Sequence, residues 1–269
     1  MAGPDLSGTY LGDILAAHRE VAALDERDLD DLIERVESAV PARGFADALA
    51  KNSVLSVIAE VKRRSPSKGS LAPYLDAAEV ANIYEKAGAS CLSVLTDSAH
   101  FGGSRRDLME ARESVRIPVL RKDFTVSLND ICDARAMGAD AVLLIAAALD
   151  DAELRDFHAL SRQLGMDAII EVHDESEAER ALGVGPGIIG VNQRNLHTFE
   201  VDQQRAVRVA ASLPDSILRV AESGVRVTRD AEALAAAGYD AVLVGEALLT
   251  ANNPDAVLNS LKVPRGASG

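Results

Sequence analysis

Polar side chains end five separate apolar segments of the chain, each two residues after an apolar or glycine position. In the first segment, Ile58 is followed by Glu60 and Lys62. Side chains alternate across a β-strand, so these three share one face, where a carboxylate and an ammonium group are costly to desolvate unless paired or used. This pattern predicts one active site assembled from many strands. The spacing recurs at Leu120/Lys122, Ile169/Glu171, Gly190/Asn192 and Val220/Glu222.

Converging lysine and glutamate side chains suit acid–base chemistry on a carbonyl compound. Crowding can lower the pKa of an ammonium group, and desolvation can raise the pKa of a glutamate. Taken singly, the same residues have structural interpretations: a rim salt bridge for Glu60 and Lys62, a solvated lysine at Lys122, and a loop carboxylate at Glu171. Their joint occurrence favours a functional site that protonates a carbonyl oxygen, removes a proton elsewhere and neutralises a substrate carboxylate.

The segments that carry these residues alternate with amphipathic helical stretches, which predicts an α/β fold. Ser127 with Asp130, and Asp150 with Glu153, fit capping boxes, and Asn253-Pro254 fits a helix start. A doubly wound sheet would usually carry a glycine-rich turn after its first strand, and none is found. We therefore expect a (β/α)8 TIM barrel with its chemistry at the carboxyl ends of the strands. The predicted strands are 54–61, 91–95, 117–121, 140–146, 167–172, 187–191, 217–221 and 240–244.

Two parts are expected along the chain: an N-terminal helical extension over residues 1–50, packed on the barrel, and the barrel catalytic domain over residues 51–269. The extension carries apolar stripes at helical spacing but no polar constellation, so we expect a structural cap or an interface. Aromatic residues make up only 3% of the chain, which indicates an aliphatic core. A net charge of −14 argues against a nucleic-acid partner.

The sequence also predicts a reduced, cytoplasmic setting without a membrane partner. No secretory signal is visible, and the longest apolar run, 141–149, is too short to span a bilayer. Cys91 and Cys132 are expected as buried thiols. None of the five histidines is spaced for a metal site, so no metal is expected, and His173 is expected to be an exposed loop residue.

Glycines follow the seventh and eighth predicted strands, in Glu222-Ser223-Gly224 and Gly245-Glu246-Ala247. Such turns let backbone N–H groups approach a phosphate at the place where barrels bind it, although ordinary tight turns also use glycine. The stretch 65–69 is either a mobile lid or an exposed loop. Phe101 is expected either to contact an aromatic substrate or to pack in the core.

Five motifs are spread over nearly the whole chain: Ile58 to Ser67, Leu120 to Phe124, Ile170 to His173, Gly190 to Leu196 and Ala221 to Gly224. Together, and in this order, they resemble the indole-3-glycerol phosphate synthase family of tryptophan biosynthesis. The resemblance implies ring closure, decarboxylation and dehydration of 1-(2-carboxyphenylamino)-1-deoxyribulose 5-phosphate. It implies a small phosphorylated substrate and no cofactor, and it leaves open a homo-oligomer or association with other enzymes of the pathway.

The resemblance also implies residue roles. Lys122 would be the general acid for ring closure. Lys62 would hold the anthranilate carboxylate and act in dehydration, with Glu171 and Glu60 as acid–base partners. The remaining implied residues are Asn192, Arg194 and Glu222 for positioning, and Ser65, Ser223, Gly224 and Gly245 around the phosphate, with Arg64 supplying charge.

One position departs from part of the family. Some members carry serine where this chain has Glu246, and a carboxylate would repel phosphate. We therefore expect only backbone contact there, with the Glu246 side chain turned away. Two other functions fit the same barrel: a Schiff-base aldolase with Lys62 or Lys122 as nucleophile, and a non-enzymatic barrel that only binds a sugar phosphate or serves in a complex.

Overall fold

Eight parallel strands close into a barrel in the computed structural model, which describes residue 6 and residues 8–65, 68–195 and 199–266. Each strand pairs with its sequence neighbours, and the first pairs with the last, which closes the ring. The predicted (β/α)8 TIM barrel is thereby confirmed, with strand ends within two residues of those expected. The strands are β1 (Ser56–Val61), β2 (Cys91–Leu95), β3 (Val119–Lys122), β4 (Ala141–Ile145), β5 (Asp167–Val172), β6 (Ile188–Asn192), β7 (Leu218–Glu222) and β8 (Ala241–Val244).

The two faces of each strand bury different cores. On β1, Ile58 packs inside the barrel, whereas Val57, Ala59 and Val61 pack outward against the helices. The inner cluster takes Leu120, Ile169, Ile188 and Val220 from other strands. Because side chains alternate, the polar residue two positions after an inner residue also points inward, at the carboxyl end of the barrel.

Helices cover the outside of the barrel, and most of those that follow β1 begin at polar caps. The capping boxes at Ser127 and Asp150 are present, and the Asn253 side chain accepts a hydrogen bond from the N–H of Ala256, as expected. The helices after β1 are α4 (Ala77–Lys86), α5 (Ser98–Phe101), α6 (Arg105–Ser114), α7 (Leu128–Ala136), α8 (Asp151–Gln163), α9 (Glu175–Leu182), α10 (Gln203–Ala210), α11 (Thr228–Ala236), α12 (Glu246–Leu249) and α13 (Pro254–Ser260). Arg64–Ser65 and Gly69–Ser70 form a short antiparallel hairpin after β1.

Three helices precede the barrel: α1 (Tyr10–Ala23), α2 (Leu29–Glu37) and α3 (Phe45–Ala50). Phe45 and Leu49 of α3 are fully buried and join the inner cluster of the barrel. The Asp167 carboxylate at the start of β5 accepts hydrogen bonds from the N–H groups of Phe45 and Ala46, both at 2.9 Å. The helix α3 therefore closes the amino end of the barrel, which we call the floor.

Both cysteines are buried and unpaired, as the sequence predicts. Among the described residues, no helix combines the length and the apolar character that crossing a membrane requires.

Candidate active site

A pocket opens at the carboxyl ends of the strands, the end of the barrel that we call the mouth. Its wall combines an apolar lining with most of the polar residues singled out in the sequence. The structure thus brings together side chains from β1, β3, β5, β6 and β7 and from the loops that follow them. The predicted residues in the lining are Glu60, Lys62, Ser65, Phe101, Lys122, Glu171, Asn192, Arg194, Glu222, Ser223, Gly224 and Gly245.

Lys122, at the end of β3, lies between two buried carboxylates. Its Nζ donates to Glu171 Oε2 at 2.8 Å and lies 3.2 Å from Glu222 Oε2. Both glutamate side chains are only 2% exposed. Burial lowers the pKa of Lys122, but the charges of Glu171, Glu222 and Glu60 outweigh burial, so the net pKa is raised. The ammonium group is thus held protonated, contrary to the lowered pKa that crowding alone suggested.

Glu171 is held in one orientation by several donors. Besides the bond from Lys122 to Oε2, Asn192 Nδ2 donates to Oε1 at 3.1 Å. Asn192 Oδ1 accepts in turn from Ser223 Oγ at 2.9 Å and from the N–H of Arg194 at 3.0 Å. Burial raises the pKa of Glu171, but Lys122 and the other donors lower it to about 2. This carboxylate is therefore ionised and fixed in place.

The pKa of Glu222 is shifted in the opposite direction to that of Glu171. Burial and the nearby charge of Glu171 prevail over Lys122 and raise its pKa to about 7. Its Oε1 has no hydrogen-bond partner among the described residues. The missing side chain of Gly190 makes room for this carboxyl group, because a Cβ there would collide with Oε1. Glu222 can therefore change protonation state near neutral pH.

Glu60 and Lys62, at the end of β1, form an ion pair at the same mouth. The Lys62 side chain is 16% exposed and that of Glu60 is 7% exposed. A Cβ at Gly245 would collide with Glu60 Oε1, so the glycine after β8 admits this carboxylate. The pair thus presents an ammonium group that remains accessible from the pocket.

The loops after β7 and β8 and the short hairpin form one end of the pocket. Ser223 and Gly224 both have positive φ, 68° and 79°, which turns the chain sharply after β7. The buried Ser65 hydroxyl has no hydrogen-bond partner among the described residues. Pro66 and Ser67 of the predicted lid or loop lie outside the described residues.

Glu246 takes part in an ion-pair cluster at this end. Its Oε1 lies 2.5 Å from Lys68 Nζ and 3.7 Å from Arg226 Nη2. Arg226 lines the pocket, although sequence reasoning missed it; its place just after the glycine turn of β7 was the available signal. Arg64 is not brought to the pocket: its exposed guanidinium donates to the carbonyl of Ala99 at 3.4 Å. Arg226, and not Arg64, therefore contributes a guanidinium group to the pocket lining.

Aromatic and apolar side chains form another part of the pocket wall. The ring centroids of Phe101, from α5, and Phe124, after β3, lie 6.1 Å apart. Tyr10 and Ile14 of α1 also line the pocket. The expectation that the N-terminal extension is only a cap or an interface was therefore incomplete. An apolar stripe on α1 was visible in the sequence, but its position over the mouth was not.

The Asp97 carboxylate contacts two histidines, one of them on α1, beside this wall. His18 Nε2 and His100 Nδ1 both lie 3.1 Å from Asp97 Oδ2. His18, Asp97 and Asp123 lie close enough together to hold a metal ion. However, Asp123 Oδ2 already accepts hydrogen bonds from the side chains of Thr96 and Arg121, so this oxygen is used within the protein itself.

The expectation of an exposed His173 was wrong. Residues 171 and 173 are two apart and so share a strand face, and the His173 side chain is 12% exposed. Its Nε2 lies 3.6 Å from Glu171 Oε1, and its Nδ1 lies 3.1 Å from Glu177 Oε2.

Comparison with known proteins agrees with this geometry. The profile described as "Indole-3-glycerol phosphate synthase" matches residues 12–261. The chain belongs to the indole-3-glycerol phosphate synthase family. It is 50% identical to the indole-3-glycerol phosphate synthase of Parafrankia sp. over 246 residues, with 91% of each chain covered. It is 48% identical to that of Mycolicibacterium smegmatis, with 95% of this chain and 94% of the relative covered. The activity is that of a carbon–carbon lyase of tryptophan biosynthesis acting on a small phosphorylated substrate.

A solved structure supports the fold independently. The thiamine phosphate pyrophosphorylase from Pyrococcus furiosus superimposes with a TM-score of 0.58 at 17% identity. The match covers 78% of this chain and 95% of the other. At this identity the likeness concerns the barrel architecture alone.

Proposed function

We propose that Lys122 is the general acid of indole-3-glycerol phosphate synthesis in this chain. The observation that carries the proposal is its ammonium group, held protonated between the buried carboxylates of Glu171 and Glu222. In ring closure, the ring carbon that bears the carboxylate attacks the ketone carbon of the substrate. The ketone oxygen takes a proton from Lys122 and becomes a hydroxyl, while the anilino nitrogen takes up the positive charge as an iminium. A protonated lysine suits this role and opposes that of a Schiff-base nucleophile.

Decarboxylation follows from the iminium. The bond to the carboxylate breaks, carbon dioxide leaves, and the electron pair restores the aromatic ring. Lys62 binds the carboxylate before it departs, because its ammonium group is accessible at the mouth and is oriented by Glu60. The iminium drives this step because it accepts the electron pair, whereas the cation at Lys62 serves to bind and orient the carboxylate beforehand.

Dehydration completes the product. Lys62 gives a proton to the new hydroxyl, which leaves as water, and Glu171 removes a proton from the methylene carbon beside the nitrogen. Glu171 then returns its proton to Lys122 across their 2.8 Å hydrogen bond. Lys62 is reprotonated from solvent, so one proton is taken up overall, as loss of carbon dioxide from a carboxylate requires.

The remaining residues place the substrate. Asn192 and Arg194 fix Glu171 and the adjoining wall, and Phe101 contacts the anthranilate ring. We assign the phosphate to the end of the pocket that holds Ser65, Ser223, Gly224 and Gly245, with Arg226 as a cation of the same lining. The Ser65 hydroxyl, for which the described part of the chain offers no hydrogen-bond partner, and the sharp turn after β7 support this assignment.

We also propose that residues 1–50 act as an extension of a single catalytic barrel over residues 51–269. The α1 residues that line the pocket support a role in substrate binding for the extension. We propose the cytoplasm as the location, because both cysteines are free. Association with a second copy or with another enzyme of the pathway stays a prediction, which sedimentation of the pure protein and of mixtures tests.

Two lysine variants test the assigned roles by the appearance of indole fluorescence from the anthranilate-derived ribulose phosphate. Lys122→Met should lower kcat by about 10²–10⁴-fold with little change in KM, since the acid acts only in the transition state. Lys62→Met should raise KM as well as lower kcat, and the exposed Lys51→Met serves as the control.

Wild-type kcat in Lys122→Met would overturn the assignment of the acid. A borohydride-trapped adduct on Lys62 or Lys122, detected by mass spectrometry, would instead favour Schiff-base chemistry.

A further inference from the structure

His173 lies between two carboxylates, one in the catalytic pocket and one outside it. Its Nδ1 lies 3.1 Å from Glu177 Oε2, which also accepts from the His173 backbone N–H at 2.8 Å. Its Nε2 is buried, has no hydrogen-bond partner among the described residues and points to Glu171 Oε1 at 3.6 Å. A neutral imidazole has only one N–H, so only the imidazolium offers a donor to both carboxylates.

The surroundings of the ring favour the imidazolium. Burial lowers the pKa of His173, but Glu177 and Glu171 outweigh burial and the charge of Arg205, so the net pKa is raised. His173 also lines a second cavity beside the catalytic pocket. The charged residues that share this cavity with it are Asp174, Glu175, Glu177, Arg205 and Arg208.

We propose that His173 is a positioning residue that keeps the Glu171 carboxylate ionised and oriented for proton removal. Glu171 Oε2 is already held by Lys122, and Oε1 by Asn192. The imidazolium places a positive charge 3.6 Å from Oε1, whereas Lys122 donates to Oε2. This inference rests on the proposed role of Glu171 as the base, but the contact itself can be tested without catalysis.

The first test measures the pKa of the His173 imidazole by NMR, with the signal assigned through loss in His173→Gln. The pKa should lie above 6.5 in the wild type, and it should fall by about one unit or more in Glu171→Gln, because the variant removes a facing charge. Glu177→Gln should also lower it. An unchanged His173 pKa in Glu171→Gln would overturn the inference, whatever the role of Glu171 in turnover.

The second test measures the pH dependence of kcat in two variants. His173→Phe keeps a ring but no donor and no charge, and it should lower kcat by ~10- to 100-fold through the loss of the ion-pair contact with Glu171, with KM nearly unchanged. The acid limb of its kcat profile should move to higher pH, because Glu171 becomes easier to protonate. His173→Gln, which retains a donor, should recover most of the rate.

His158→Gln is the matched control, since His158 is buried in α8 away from the pocket. A wild-type kcat profile in folded His173→Phe would overturn the inference. If Glu171→Gln keeps full activity while the His173 pKa shifts as expected, the assignment of Glu171 as base fails and the contact stands.

Discussion

Both ends of the barrel bury carboxylates, but they pair them differently. At the floor, Asp140 is fully buried, and its Oδ1 accepts from the N–H of Arg43 at 2.8 Å and from Arg112 Nη2 at 3.0 Å. Its Oδ2 accepts from the N–H of Val119 at 2.9 Å. Both oxygens thus have dedicated donors, most of them backbone groups that cannot move without unfolding the strand ends.

At the mouth, two buried carboxylates share one ammonium group. Lys122 contacts both Glu171 and Glu222, and one oxygen of Glu222 has no partner among the described residues. A shared cation splits the two acids electrostatically: the pKa of Glu171 falls to about 2, while that of Glu222 rises to about 7. The comparison shows two uses of a buried carboxylate. A carboxylate whose oxygens accept mainly from backbone N–H groups stabilises the fold, whereas carboxylates that share one side-chain cation can exchange protons.

The largest expected effect is on the mouth. Glu171→Gln should lower kcat by about 10²–10⁴-fold, because the amide cannot accept a proton from the substrate. Steady-state turnover by indole fluorescence measures the loss, and the exposed Glu232→Gln on α11 is the control. Activity within about threefold of wild type would mean that the mouth carboxylates are structural like those of the floor.

The matching floor variant, Asp140→Asn, should act on stability instead. In the variant, an NH2 group replaces one carboxylate oxygen and faces a hydrogen-bond donor, so that bond is lost. The free energy of unfolding should therefore fall by about 3 kcal/mol. Urea denaturation followed by circular dichroism measures this change, and kcat of the folded variant should stay near wild type. A stable variant with reduced kcat would break the distinction between the two ends.

Glu222→Gln should stabilise the protein at alkaline pH. The pKa of Glu222 is raised in the folded protein, so the protonated form is favoured by folding, and this contribution disappears as pH rises from about 4.5 to about 7. Above that range the wild type carries a buried, partly unpaired carboxylate. The variant should therefore exceed the wild type by about 2–3 kcal/mol in unfolding free energy at pH 8.

The advantage of Glu222→Gln should shrink towards pH 5. Thermal or urea unfolding across this pH range checks the trend, with Glu232→Gln as the matched surface change. A constant difference between pH 5 and pH 8 would contradict the raised pKa of Glu222.

The smallest effect concerns the phosphate end. Glu246→Gln should lower KM by ~3- to 5-fold, because it removes a negative charge and frees Lys68 and Arg226 to attract the substrate. The gain should diminish at high salt, which screens these partly exposed charges. An increase in KM would instead show that Glu246 helps to build the site through its ion pairs.

Much of this molecule is predictable from local patterns. The strands follow from short apolar segments, the helix starts from capping residues such as Ser127 and Asp150, and the inward direction of Lys122 from the two-residue period. Docking of α1 over the mouth is not predictable in this way, because a stripe at helical spacing does not say which surface it meets. The direction of the Arg64 side chain depends on the hairpin that follows β1. The sequence of this segment did not distinguish a lid from an exposed loop and so did not predict that direction.

Protonation states were the least predictable property. The pKa of Lys122 depends on how many carboxylates lie within a few ångströms, and that number comes from strands far apart in the chain. The sequence could place lysines and glutamates at one mouth, but it could not say which pairs would touch. The Glu171–His173 contact was missed for the simpler reason that the strand period was misapplied at the end of β5.

The N-terminal extension reaches both ends of the barrel, with α1 at the mouth and α3 in the floor. Truncations that remove α1 alone, or α1 to α3, should therefore have different effects. Deletion of α1 would remove part of the pocket wall but would leave α3 in place at the floor of the barrel. Removing α3 as well would expose the inner core, so we expect the extension to affect substrate binding through one helix and folding through another.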